Sequence, residues 1–103
     1  MASTADHLAW VLDLLRELDG VSSRRMMGEY VLYCDGKVFG GIYDDRFLVK
    51  DIPAARELLP DAPAEEPYPG GSPMLLVTVE DPTLVAQLVR AMLPQLPSPK
   101  RRR

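Results

Sequence analysis

Apolar positions in the first eighteen residues fall on one helical stripe: Leu8, Val11, Leu12, Leu15 and Leu18 recur at three- and four-residue spacing. The spacing predicts a helix over 4–18, with Ser3 or Thr4 as its cap and Asp6 in its first turn. Gly20 stands just past the end, where a left-handed residue often closes a helix. The period then changes from about four to two. Ser22–Met27, Tyr30–Cys34, Lys37–Tyr43 and Arg46–Lys50 read as four consecutive antiparallel strands. Gly28 breaks the chain after the first. Asp35-Gly36 and Asp44-Asp45 supply two-residue loops whose central positions take positive φ. Asp51–Leu59 reads as a short helix with Asp51 as a cap and Pro53 in the first turn. A proline-rich segment runs from Pro60 to Pro73, Met74–Val79 is a further strand, and Asp81-Pro82 opens a last helix. Leu84, Val85, Leu88, Val89, Met92 and Leu96 line one side of it, and Pro94 ends its regular part.

With both loops two residues long, strict alternation sorts the strands into two faces. Val31, Tyr33, Val38, Gly40, Ile42, Phe47 and Val49 form an uncharged set, expected beneath the helices. Tyr30, Leu32, Phe39 and Leu48 join Cys34, Lys37, Tyr43, Arg46 and Lys50 on the other. That mixed set of aromatic, apolar and basic groups is the expected partner-contact face, centred on Tyr30, Leu32, Phe39, Tyr43, Arg46, Leu48 and Lys50. A slip of one residue in either loop would exchange the two sets.

The fold class is therefore α+β, in two layers, with about five antiparallel strands against helices in the order α-β-β-β-β-α-β-α. A chain of 103 residues fits one domain, expected over 1–97, with 98–103 as a disordered basic tail. The single Cys34 excludes an internal disulfide and fits a reducing cytoplasm. No apolar run approaches a membrane span, and "MASTADH" lacks the basic-then-apolar order of a secretion signal.

Charge narrows the partner. Four of the twelve Lys and Arg residues stand at 100–103, which leaves eight against fifteen acids in the rest of the chain. Such a body repels a phosphate backbone. Nucleic-acid contact would have to use the tail, Lys100, Arg101, Arg102 and Arg103, or a local patch in which Arg24 or Arg25, on opposite faces of their strand, joins Arg46 and Lys50.

Catalytic chemistry finds little to work with. His7, the one imidazole, sits in a first helical turn with no evident partner. Cys34 neighbours Asp35, which raises a thiol pKa, while Lys37 across the hairpin would lower it. One His and one Cys cannot close a zinc site. Asp44-Asp45 and Glu65-Glu66 read as exposed pairs. Gly40-Gly41 lies inside a strand, where it marks a kink or a close approach rather than a phosphate loop. The reading is a non-enzymatic protein with no cofactor and no metal.

The block "RRMMGEYVLYCDGKVFGGIYDDRFLVK" resembles the motif region of the TfoX/Sxy family, in its N-terminal domain. An Arg-x-Met-Phe-Gly-like start leads there to a Leu-Tyr strand, a Gly turn, a Phe on the returning strand and a Leu-Tyr-Leu-Lys-like end. The corresponding residues are Arg24 or Arg25, Met26, Gly28, Tyr30, Leu32, Tyr33, Gly36, Phe39, Ile42 and Lys50. The "LLPDAPAEEPYPGG" loop is similar too, as are the strand and helix after it, so the likeness spans most of 5–97. Met27 stands where the family usually has Phe, and Val31 where Gly is common. The resemblance implies a two-layer fold related to secretion chaperones. It also implies a link to competence regulators, which act with the cyclic-AMP receptor protein at promoters and carry a second, C-terminal domain. The expected function is an interaction or regulatory accessory module with a protein partner. A weak, direct nucleic-acid binder is the alternative, and pairing with a second copy stays open.

Overall fold

The computed structural model describes residues 3–97. In chain order they form α1 (Ala5–Leu14), β1 (Val21–Met26), β2 (Glu29–Cys34), β3 (Lys37–Tyr43), β4 (Arg46–Lys50), α2 (Pro53–Leu58), β5 (Ala64–Glu65), β6 (Met74–Leu76) and α3 (Pro82–Met92). A 3-10 turn, Leu93–Gln95, follows α3. All strand pairs are antiparallel, in the order β1-β2-β3-β4-β6-β5. The α+β class follows. The sheet has six strands rather than about five, because β5 pairs two residues of the proline-rich segment with β6. Two residues carry no alternation, so the sequence pattern cannot show such a strand.

Local chemistry sets the element ends. The Thr4 hydroxyl accepts from the His7 amide and caps α1. Regular helix stops at Leu14, since Leu15 leaves helical geometry, yet Leu15 and Leu18 remain buried in the turns after it. α2 starts without its expected cap. Asp51 pairs with Arg56 instead, and the Gln95 side chain accepts from the Ala54 amide. Asp81 caps α3 by accepting from Thr83, with Pro82 in the first turn. Leu75 and Val77 are buried while Met74 and Leu76 are half-buried, so one side of the last strand faces the core.

Three hairpin loops have paired positive φ: Met27-Gly28, Asp35-Gly36 and Asp44-Asp45. That geometry matches the right-handed strand twist. Gly, Asp and Asn tolerate it, but Met27 takes φ 53° while its side chain is 96% exposed. Among the described residues no packing of the Met27 side chain offsets the strain. Met27→Asn is expected to stabilise the domain by about 0.5–1 kcal/mol in urea unfolding.

The three helices share one side of the sheet. Val11, Leu15, Ala55, Val85, Leu88 and Met92 meet Leu32, Phe39, Ile42, Phe47, Val49 and Leu75 in one cluster. This arrangement corrects the expected faces. Tyr30, Leu32 and Phe39 belong to the core, at 7%, 0% and 0% exposure, whereas Val31, Tyr33 and Val38 are half-buried on the opposite side. The loops themselves hold the expected alignment, with Cys34 opposite Lys37 and Tyr43 opposite Arg46. A bulge between them makes the difference. Tyr33 pairs with Val38 but Leu32 pairs with Gly40, which leaves Phe39 as the extra residue. An extra residue reverses the alternation beyond it. Ile42, Phe47 and Val49 thus keep their expected core side while β2 and the start of β3 exchange theirs. Leu48 is also fully buried, beside Gly41 and Leu76 and apart from the main cluster.

Candidate functional site

The sheet face away from the helices is the candidate surface. Across it, cross-strand register aligns Arg24 with Val31, Gly41, Leu48 and Leu76, and places Ser22 with Tyr33 and Val38. Val31, Tyr33, Val38, Tyr43, Met74 and Leu76 are all half-buried there. An apolar set of this kind left without a helix is typical of contact surfaces.

Loop 66–73 covers one part of this face, and Arg46 holds it there. The guanidinium bonds Glu65 at 2.8 Å and the carbonyls of Glu66 and Pro67 at 3.1 and 3.2 Å. Arg46 is thereby a structural clamp and offers little to a partner. Tyr68 leans on Tyr43, ring centroids 6.2 Å apart. The Tyr43 ring in turn lies over Gly41, where a Cβ would come within 2.6 Å of Cε2. Burial pushes the Tyr43 phenol above its ordinary range, helped by Tyr68 and Glu29. An open cleft of about 400 Å³ runs between Val38, Tyr43 and Lys50 on the sheet and Tyr68, Pro73 and Met74 beyond.

The expected contact set is therefore divided. Tyr43 and Lys50 reach the outer face, Arg46 is occupied, and Tyr30, Leu32, Phe39 and Leu48 are buried. Val31, Tyr33, Val38, Met74 and Leu76 take their place. The sequence signal that could have found them is Phe39-Gly40-Gly41, a large residue before two glycines within a strand, which fits a bulge.

The expected basic spot does not assemble. Arg24 shares the outer face but stands three strands from β4, roughly 14 Å at ordinary strand spacing. Arg25 pairs with Tyr30 and so lies on the helix side. Both arginines are exposed, and neither has an ion-pair partner among the described residues. Lys100, Arg101, Arg102 and Arg103 lie outside the described residues.

The other chemistry-bearing groups are held in structural contacts. Cys34 is buried, with Sγ 3.5 Å from the Asp19 carbonyl. Burial, then Asp35, pushes its thiol up, and Arg90 opposes them. Lys37 donates to the Leu93 carbonyl rather than serving the thiol. His7 stacks against Trp10 at 5.4 Å, its Nε2 buried and without a partner. Asp45 accepts from the Thr4 amide, and Glu29 binds the Ser3 hydroxyl and the Asp44 amide. Among the described residues no cluster of His, Cys, Asp or Glu could hold a metal ion, and no helix is long and apolar enough to cross a membrane.

Comparison with known proteins places this arrangement. The family model described as "TfoX N-terminal domain" matches residues 13–93. The chain belongs to the TfoX N-terminal domain family. The matched segment begins in the last turn of α1 and ends one residue past α3, so the whole sheet, bulge and outer face lie within it. A relative in Spirochaeta aurantia, the "uncharacterized 12.7 kDa protein in trpE 5′ region", is 36% identical over 105 residues. The alignment covers 100% of this chain and 91% of that protein. No solved structure matches the chain.

Proposed function

We propose that this TfoX N-terminal domain is a non-enzymatic interaction module, a regulatory accessory protein whose partner seats on the outer face of the sheet. The single observation behind this reading is that face: six half-buried apolar and aromatic side chains with no helix of the described residues upon them. Family membership supports a role connected with transcription or competence regulation. Cys34 is buried in the core, and Glu29 and Asp45 are engaged in hairpin contacts, which supports a non-enzymatic role. Tyr43 and Lys50 would frame the contact, and Val31, Tyr33 and Val38 would form its centre.

A Val38→Asp variant tests the surface. It is expected to fold, because the charge meets solvent, but to lose the proteins that the wild type captures from cell extract. Unchanged circular dichroism with undiminished capture would overturn the reading. The alternative, direct nucleic-acid binding, retains Arg24, Lys50 and the tail; it requires duplex-DNA affinity that falls with salt and on removal of 98–103.

A further inference from the structure

β1 is a sheet edge, and its geometry differs from that of the opposite edge. The Met27-Gly28 loop closes on the pair Met26↔Glu29, so that pair and every second one after it exchange hydrogen bonds within the hairpin. The Asp35 amide, donating to the Gly20 carbonyl at 3.0 Å, confirms the phase at the far end. The backbone N–H and C=O groups of Val21, Ser23 and Arg25 therefore point away from β2. β1 is six residues long, contains no proline and carries no bulge in its pairing with β2. The other edge, β5, has two residues and stands between Pro63 and Pro67. Short strands, flanking prolines and charged side chains blunt an edge; β5 has the first two, while β1 has only its arginines, which oppose another basic edge but not an acidic strand.

Charge selects what can pair there. Arg24 and Arg25 are exposed on opposite faces, without an ion-pair partner among the described residues, in a body that is otherwise acidic. A phosphate backbone lying on one face meets only one of them. A strand lying in the plane of the sheet meets both, because its own side chains alternate. A second copy of β1 would bring its own arginines to the same edge, where like charges oppose pairing.

We propose that β1 accepts an extended acidic segment of a partner protein as a seventh strand, its backbone bonded to Val21, Ser23 and Arg25. Two consecutive acids, one directed to each face, meet Arg24 and Arg25. The residue opposite Arg24 falls in a non-hydrogen-bonded pair, where strands approach most closely. The edge adjoins the outer-face contact at Arg24, beside Val31, but is read by backbone pairing and goes beyond that contact.

The test uses the whole chain and a labelled, end-capped hexapeptide, TVDEVT, with TVKKVT as its counterpart, read by fluorescence anisotropy. TVDEVT is expected to bind about tenfold more tightly than TVKKVT, less so at high salt. R24E/R25E is expected to reverse that preference. Ser23→Pro, which removes an outward N–H and is tolerated at an edge, is expected to abolish binding of either peptide. Val38→Asp is expected to leave peptide binding intact, so failure of the outer-face reading and failure of this one are separable. The proposal is overturned if TVDEVT does not bind at low salt, or if Ser23→Pro leaves its affinity unchanged. It is equally overturned if sedimentation shows a self-dimer that Ser23→Pro dissolves while no peptide binds. Duplex DNA displacing TVDEVT from wild type, and binding Ser23→Pro as well, would assign the arginines to nucleic acid instead.

Discussion

Phe39→Asp is expected to abolish the folded state, whereas Val38→Asp, one residue earlier, leaves it intact. Phe39 is fully buried among the core side chains under the helices. Truncating such a phenylalanine costs about 3–5 kcal/mol, and placing a carboxylate in the space adds the cost of an unpaired buried charge. Domains of this size hold only about 5–15 kcal/mol in total. Val38 is half-buried on the outer side, so its carboxylate reaches water, and the expected cost is about 1 kcal/mol or less. Urea unfolding followed by circular dichroism separates the two. Strict alternation without the bulge requires the opposite order of severity, so a folded Phe39→Asp would invert the assignment of faces.

Gly40→Val is expected to cost about 3 kcal/mol without changing any charge. Gly40 pairs with Leu32 on one side and Val49 on the other, directly after the bulged residue. A Cβ built there would lie 2.9 Å from Val49 Cα and closer still to the Leu48 carbonyl oxygen. Both obstacles are backbone, which cannot rotate aside as a side chain does. β3 and β4 would have to part, weakening a ladder that includes four buried side chains, Ile42, Phe47, Leu48 and Val49. Gly40→Ala should already show a measurable loss of thermal stability. Equal stability of wild type and Gly40→Val would mean that the strands can separate cheaply, and the bulge would lose its anchor.

Both predictions turn on residues 38–41, which also govern the outer face. With Phe39 directed inward, Val38 and Tyr33 come out on the opposite side and form the centre of the proposed contact. The bulge is thus what gives the domain an apolar face without a helix to cover it. Lys37, shifted to the core side by the same phase, reaches the Leu93 carbonyl below α3 and so ties the hairpin to the last helix.

Patterning along the chain determined the element types, the three main helices, the four-strand meander and its tight loops. Those features depend on neighbours a few residues apart: the Asp35-Gly36 and Asp44-Asp45 loops tolerate positive φ, and Asp81-Pro82 caps a helix. The family motif was legible for the same reason, being one contiguous block. Tertiary structure decided which side of β2 and of the start of β3 is buried, because one extra residue at Phe39 reverses the alternation and is settled by packing against the helices. It decided Arg46 likewise. Read locally, Arg46 is an exposed cation; in the fold, a loop about twenty residues away supplies the carboxylate and carbonyls that occupy it. Phe39-Gly40-Gly41 hints at a bulge, but which way it turns the side chains is set by what lies across the sheet and beneath the helices.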